Sequence, residues 1–217
     1  MKTRFALAAL AVLAAPLAAQ QKAADPDKPV QGGGTLPAGW SARTDRDVAM
    51  DNVKFVTMGP TGLHVTTGPA VILWKDTEKA AGGFHTEAVF TQTKAPTHAE
   101  AYGLFIAGKD LKGAGQYYTY FIVRQDGKFL IRTRDGAGTK NVTEGWTDNA
   151  ALVKADEAGK ATNKLEILVG KDKVTFSANG KEVHSMPVTA GTMDGVVGLR
   201  VNHNLDVHIE KFGVHKM

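Results

Sequence analysis

Residues 163–186, "NKLEILVGKDKVTFSANGKEVHSM", decide the fold class. They contain three short runs, and within each run apolar and polar side chains alternate from one residue to the next. Side chains two residues apart lie on the same side of a strand, so each run has one apolar side. The Asn179-Gly180 pair suits a type I′ turn, which needs positive φ at both central residues. We therefore predict three antiparallel strands in a meander. Their inward positions are Leu165, Ile167, Val169, Val174, Phe176, Ala178 and Val183.

Short alternating runs of this kind recur along most of the chain. Between them stand Gly-Pro, Gly-Gly, Asp-Gly and Asn-Gly signals, at the spacing typical of an antiparallel sandwich or barrel. One stretch, "DNAALVKADEAG" at 148–159, suggests a short helical turn. The prediction is an all-β domain. Its eleven strand candidates are "LHVTT", "AVILWK", "FHTEAVF", "AYGLFIAG", "QYYTYFIVR", "KFLIRTR", "KLEILVG", "KVTFSA", "KEVHSM", "VVGLRVN" and "LDVHIEKF".

The first 38 residues have a different composition. Residues 1–19, "MKTRFALAALAVLAAPLAA", place Lys2 and Arg4 before a short apolar run that ends in small residues, which is typical of a secretory signal peptide. Residues 20–38 are rich in Gly, Pro, Gln and charges and are predicted to be a flexible leader. A single domain is predicted at 39–217. We expect an exported protein of the bacterial periplasm or the extracellular space.

Composition excludes several classes of partner. The formal net charge is +4, of which Lys2 and Arg4 of the predicted signal contribute two, and the other bases are scattered among 22 acids. We therefore expect no nucleic-acid partner. No later segment approaches the roughly 20 apolar residues of a spanning helix, so no membrane insertion is expected. The chain has no Cys and must be stable without disulfides. No cofactor is predicted, and the oligomeric state stays open.

Two neighbouring strand candidates, "GQYYTYFIVR" and "KFLIRTR", carry an unusual mixture of side chains. Alternation places Tyr118 and Tyr120 on one face of the first, and Arg132 and Arg134 on one face of the second. The "QDG" turn between them would join both sets into one surface. This surface is a candidate ligand site, with ordinary cross-strand packing of Tyr and Arg as the alternative.

Trp146 is the aromatic residue that stands out among the loops. It lies in "VTEGWTDN", between strand candidates, where binding residues are more frequent than in core runs. We predict that it stacks on a sugar ring, with packing over the edge of the sandwich as the alternative. Trp40 and Trp74 are interpreted as core or edge residues.

The order of several short phrases resembles a known group of proteins. "YGLF", the Tyr-rich strand leading to "DG", "NKLEILV", "FSANGKEV" and "GVVGLRV" follow one another over about residues 40–215. In this the chain resembles the concanavalin A-like lectin and glucanase superfamily, and most of all its small members related to 3-keto-disaccharide hydrolases. The resemblance implies a jelly-roll β-sandwich of two curved antiparallel sheets. It also implies a glycan on the concave sheet, and the surface of Tyr118, Tyr120, Arg132 and Arg134 has the aromatic and hydrogen-bonding character of such a site. Together with Trp146, these are the predicted ligand-binding residues.

Candidate catalytic residues follow from the same resemblance. Jelly-roll glucanases carry Glu-x-Asp-x-x-Glu on one strand, whereas no Glu of this chain is followed two residues later by Asp, which argues against ordinary glucanase activity. A 3-keto-glycoside hydrolase would need one positioned base and an electrophilic partner. His85 with Glu87, which share a strand face, or His203 would serve as base and acid.

A metal site is the last possibility in the sequence. The phrase "NHNLDVH" at 202–208 offers His203, Asp206 and His208 as ligand types. Alternation sets His203 apart from Asp206 and His208, so no metal is predicted there. The leading hypothesis is an exported carbohydrate-binding module for a glycan or sugar derivative. The alternatives are a 3-keto-glycoside hydrolase-like enzyme and an envelope protein-interaction domain.

Overall fold

The computed structural model describes residues 27, 29–46, 49–188 and 192–217. The predicted signal peptide at 1–19 and the beginning of the predicted leader lie outside the described residues. No helix within the described ranges is long and apolar enough to cross a membrane.

The described chain forms fifteen strands and one short 3-10 turn at Met50–Asn52. The strands are β1 (Trp40–Thr44), β2 (Val53–Met58), β3 (Gly62–Thr67), β4 (Val71–Ala80), β5 (Phe84–Gln92), β6 (Ala101–Lys109), β7 (Tyr117–Arg124), β8 (Lys128–Asp135), β9 (Gly138–Asn141), β10 (Thr147–Asp148), β11 (Ala161–Val169), β12 (Lys173–Ala178), β13 (Lys181–Pro187), β14 (Gly195–Val201) and β15 (Asp206–Lys216).

The strands form two antiparallel sheets that face each other across one apolar core. The eight-stranded sheet has the order β1-β4-β14-β6-β7-β8-β10, with β9 also paired to β8. The seven-stranded sheet has the order β13-β12-β11-β5-β15-β3-β2. The predicted all-β jelly-roll sandwich is confirmed.

The meander at 163–186 is β11, β12 and β13. Its predicted inward residues on β11 and β12 are at most 1% exposed, and Val183 is half-buried against the same core. Asn179 and Gly180 take φ values of 52° and 78°, as a type I′ turn requires. The Asn179 side chain also fixes the turn to β11, because its Oδ1 accepts from the backbone N–H of Lys164 at 2.9 Å.

Four strands fall outside the eleven candidates. Strand β9, "GTKN", is exposed at all four positions, so it has no apolar alternation from which to predict it. Strands β1, β2 and β10 were likewise not among the predicted runs. The helical turn suggested for 148–159 is wrong, since Asp148 belongs to β10 and residues 149–159 form loops and turns. There the Asn149 side chain accepts the backbone N–H of Ala151 at 2.9 Å, a local bond that competes with helix formation.

The described end of the predicted leader contacts the sandwich. Gly33 bridges to Lys54 of β2, and the Gly33 carbonyl accepts from the Phe55 N–H at 2.9 Å. Leu36 packs against the core. Contacts with the sandwich therefore begin before the predicted domain start at residue 39.

A second apolar cluster covers the outer face of the eight-stranded sheet. Trp74, Phe105, Tyr118 and Tyr120 belong to it, and all four are at most 4% exposed. Leu111, from the loop between β6 and β7, is buried in the same cluster. The Arg43 guanidinium holds this loop down by donating to the Leu111 carbonyl at 3.2 Å.

Candidate functional site

The predicted Tyr and Arg residues do lie on one surface, the outer face of the eight-stranded sheet. In the register of β7 and β8, Tyr118 stands opposite Arg134 and Tyr120 opposite Arg132. The residues between them on β7 and β8, such as Phe121 and Ile131, point into the core instead. The face assignment made from alternation therefore agrees with the structure.

Tyr118 and Tyr120 are buried on this face and contact an arginine that sequence reasoning missed. Arg200 of β14 is 6% exposed, and its guanidinium donates to both carboxylate oxygens of Asp45, at 2.9 and 2.6 Å. It also donates to the Tyr118 hydroxyl at 2.9 Å and lies 4.9 Å from the ring centroid of Tyr120. Both tyrosines thus position Arg200 and offer no open ring face.

The charge of Asp45 is stabilised by this pairing. Burial alone would raise the pKa of the Asp45 carboxyl, but the adjacent Arg200 guanidinium lowers the pKa below its usual value. The Arg200 side chain is 8% exposed and the Asp45 side chain 24%, so the charged pair is largely buried beneath the outer face.

The exposed part of the outer face is the Trp–Arg surface, defined as Trp146, Arg124, Arg132 and Arg134. Trp146 is half-buried against the outer apolar cluster, and the Arg124 guanidinium lies 4.5 Å from its ring centroid. Arg132, Arg134 and Arg124 are each partly exposed. Of the five predicted ligand residues, Trp146, Arg132 and Arg134 are partly exposed, and the Arg124 guanidinium already lies over one face of the Trp146 ring.

Local hydrogen bonds fix the orientation of the two predicted arginines. The Arg132 Nε donates to the Asn141 Oδ1 of β9 at 2.7 Å, and the Arg134 Nε donates to the Gly136 carbonyl at 2.8 Å. A guanidinium held through Nε has its terminal nitrogens in a defined direction. Strand β9, which sequence reasoning missed, is therefore part of what orders this surface.

A cavity of about 450 Å³ opens elsewhere on the same outer face. Trp74 and Asp76 of β4 line it, together with Lys112 of the β6–β7 loop. The Trp74 Nε1 donates to the Asp76 Oδ1 at 3.0 Å, so the edge of the indole and the carboxylate face the cavity as one unit. Trp74 is 1% exposed, so its interpretation as a core or edge residue is confirmed, and the loop that completes the cavity is distant from it in sequence.

His85 and Glu87 lie on the outer face of the other, seven-stranded sheet. The Glu87 Oε2 is 2.6 Å from the Lys164 Nζ, which is also 2.9 Å from the Glu166 Oε1. The hydrogen bond from Lys164 holds the pKa of Glu87 below its usual range. A general base works best with a pKa near the working pH, so this environment weakens Glu87 in that role.

His203 lies far from His85, at the turn between β14 and β15. Val207 pairs with Gln92 and His215 pairs with His85, so His203 is beyond the Gln92 end of β5. Its Nε2 is 2.8 Å from the Glu100 Oε1. The three predicted catalytic residues therefore do not form one site.

Asp206 and His208 are separated from His203, as alternation predicted. Asp206 accepts from the Thr66 hydroxyl at 3.0 Å, and its Oδ2 is 2.7 Å from the Lys94 Nζ. The His208 Nδ1 is 2.7 Å from the His64 Nδ1. These residues form a polar cluster on the outer face of the seven-stranded sheet, in which His203 takes no part.

No protein-family model matches the chain, and no curated protein matches its sequence. Solved structures do match. A Bacillus subtilis protein of unknown function with a galectin-like fold is 14% identical, covers 82% of this chain and 89% of its own, and has a TM-score of 0.57. A carbohydrate binding module, CBM66 from Bacillus subtilis, is 10% identical over 82% of this chain and 96% of its own, with a TM-score of 0.52.

A Bacillus licheniformis beta-glucanase gives a similar match, with 9% identity, 84% and 94% of the two chains covered, and a TM-score of 0.54. At such identities the likeness concerns the fold. The chain has the concanavalin A-like jelly-roll fold that the resemblance predicted.

Proposed function

We propose that this chain is an exported carbohydrate-binding module that engages a glycan through the Trp–Arg surface. The observation that carries the proposal is the grouping of one indole and three partly exposed guanidinium groups on a single sheet face. The likeness to a carbohydrate binding module supports the choice of ligand class. The predicted signal peptide supports export.

The chemistry of this surface suits a sugar. The Trp146 indole and the Arg124 guanidinium stacked on it form one flat surface for the C–H groups of a pyranose. The neighbouring guanidinium groups donate hydrogen bonds to hydroxyl oxygens in fixed directions. Arg132 and Arg134 are held through Nε, so their terminal N–H groups are prepared for a ligand before it arrives. Preorganisation of this kind reduces the entropy lost on binding.

The Arg200–Asp45 pair supports the same surface from below. It fixes Tyr118 and Tyr120, which stand opposite Arg134 and Arg132 in the register of β7 and β8. The exposed residues of the Trp–Arg surface contact the glycan. The buried Arg200–Asp45 pair stabilises the sheet face on which they lie.

The test is a glycan-array screen of the purified chain beside the Trp146→Ala variant. We expect saturable binding to at least one glycan class, weakened about tenfold or more by the substitution, which corresponds to ~1.4 kcal/mol. Arg132→Ala should weaken binding to the same glycan, and it removes no residue of the apolar cluster. The matched control is Lys173→Ala, an exposed position on the other sheet, which should bind normally.

Two results would count against the proposal. Binding that Trp146→Ala and Arg132→Ala leave unchanged would move the site away from the Trp–Arg surface. Silence across a broad array would favour the alternative of a 3-keto-glycoside hydrolase-like enzyme. For that alternative the lowered pKa of Glu87 disfavours Glu87 as the base, and each of His85 and His203 contacts a glutamate. Turnover of 3-keto-glycosides would be the next assay.

A further inference from the structure

We propose that His98, Glu100 and His203 bind a first-row divalent metal ion of the zinc class. These residues come from two loops, one before β6 and one between β14 and β15, that meet at one end of the sandwich. The site is distinct from the Trp–Arg surface, and its ligand set is not the 202–208 motif considered from the sequence.

The three donor atoms lie close together at this end of the sandwich. The Nε2 atoms of His98 and His203 each lie 2.8 Å from the Glu100 Oε1. The three atoms lie within 4.8 Å of one another. Ligands of a zinc ion lie ~2.0–2.2 Å from the metal, which puts neighbouring donors roughly 3 Å apart. The two histidine–glutamate distances are therefore close to the donor spacing of a loaded site.

The charge balance of Glu100 also favours a cation. Glu100 is 8% exposed, and a buried carboxylate is costly unless a positive group neutralises it. Among the described residues, no lysine or arginine lies within ion-pair distance of Glu100, and its ion-pair partners there are the two imidazoles. Neutral imidazoles and one carboxylate are a donor set that suits zinc, and two histidines with one glutamate occur in known zinc sites.

The outer nitrogens of both rings have neighbours that can fix the ligating tautomer. The His98 Nδ1 lies 3.3 Å from the Thr97 Oγ1. The His203 Nδ1 lies 3.3 Å from the Asn204 side-chain amide and 3.7 Å from the Asp27 Oδ1. An acceptor beside Nδ1 keeps the proton there, so that the Nε2 lone pair is directed to a metal. At His203 the Asn204 amide acts in this way when its oxygen, rather than its nitrogen, faces Nδ1. A carboxylate behind a metal-binding histidine is a frequent arrangement of this kind.

The cluster is accessible to an ion from solvent. The side chains of His98 and His203 are 31% and 27% exposed. A cavity of about 200 Å³ adjoins His203 and is lined also by Asp27, Asp45 and Arg46. Three protein ligands beside a cavity leave coordination positions for water or for an oxygen of a ligand.

A second cluster of the same residue types provides an internal comparison. His85, Glu87 and Glu166 also bring their donor atoms together. The Lys164 ammonium already lies 2.6 Å from Glu87 and 2.9 Å from Glu166, so a cation is in place between these carboxylates. We expect no metal there, which makes His85 a matched control position.

The test is titration of zinc chloride, and separately of cobalt chloride, into the chelator-treated chain without a polyhistidine tag, followed by calorimetry. We expect one ion per chain. His203→Gln and Glu100→Gln should weaken binding at least as much as the roughly 10- to 100-fold that loss of an outer partner costs. His85→Gln should bind as the unchanged chain does.

Three outcomes would overturn the proposal: no saturable binding of either ion, equal affinity in His203→Gln, or a loss in His85→Gln. His98→Gln, at the more exposed histidine, serves if Glu100→Gln fails to fold. Because no sugar is present, the result is independent of the proposed glycan binding.

Discussion

The Asp206 carboxylate is the most heavily hydrogen-bonded acid on the seven-stranded sheet. The hydroxyls of Thr66 and Thr93 donate to it, and the Lys94 ammonium and the His64 ring lie within ion-pair distance. Burial would raise its pKa, but these donors together hold the pKa far below the usual value for an aspartate. The charged form is thus strongly favoured in the folded chain.

This residue should make the protein sensitive to acid. Its pKa is lower in the folded chain than in the unfolded chain, where it is about 3.9, so the unfolded state binds more protons as the pH falls. The stabilisation is fully present above about pH 4 and declines below it. In urea unfolding at a series of pH values, Asp206→Asn should reduce the free energy of unfolding at neutral pH and flatten its decline in acid.

The control for this prediction is Asp135→Asn. Asp135 is paired with Lys140, but the two side chains are 50% and 76% exposed, so solvent screens the pair. This variant should keep the acid slope of the unchanged chain. An identical slope in Asp206→Asn and the unchanged chain would refute the assignment.

At the scale of the elements, two tight turns share one backbone conformation in different surroundings. Gly180 has φ +78° and Gly159 has φ +79°. A Cβ at Gly180 would meet nothing within 4 Å, whereas a Cβ at Gly159 would lie 2.0 Å from the backbone N of Ala95. The pair therefore separates the cost of the conformation from the cost of a clash.

Alanine substitutions at these positions should differ in stability. Gly180→Ala should destabilise the fold by about 1–2 kcal/mol, the cost of a left-handed backbone for a residue with a Cβ. Gly159→Ala should cost clearly more, because the backbone at Ala95 must also move. Chemical unfolding of both variants measures the difference, and equal losses would contradict the explanation.

The meander and the candidate site show which structural elements can be predicted from the sequence. Strands β11 to β13 were predictable because alternation and turn chemistry are local signals. Strand β9 was not, because all its side chains are exposed and register with β8 alone defines it. The Arg200–Asp45 pair joins residues 155 positions apart, and a local sequence pattern cannot predict a contact of this kind.

The candidate metal cluster shows the same limit. The sequence identifies His203 as a possible metal ligand, but the only partners it suggests are the neighbouring residues at 202–208. The partners are His98 and Glu100, brought to it by the pairing of β14 with β6. Sheet topology, which periodicity does not specify, decides which loops meet.

At the scale of the whole molecule, the last two strands occupy the middle of both sheets. Strand β14 lies between β4 and β6, and β15 lies between β5 and β3. A chain that ends at residue 205 would lack β15 and leave the seven-stranded sheet in two pieces. We expect it to lose the cooperative unfolding transition in urea followed by circular dichroism.

The control is a chain that ends at residue 215. It keeps the pairing of β15 from Val207 to His215 and loses Lys216 and Met217, both exposed. This chain should retain a cooperative transition. A cooperative transition in the chain ending at residue 205 would show that β3 and β5 can be held by the rest of the sandwich alone.

The central position of β14 and β15 also governs what happens while the chain is being made. Until they emerge from the ribosome, β4, β6, β3 and β5 each have an edge without its partner strand. Open edges of apolar strands invite pairing with other chains. We therefore expect the nascent chain to need a chaperone that covers these strand edges until β15 has been translated.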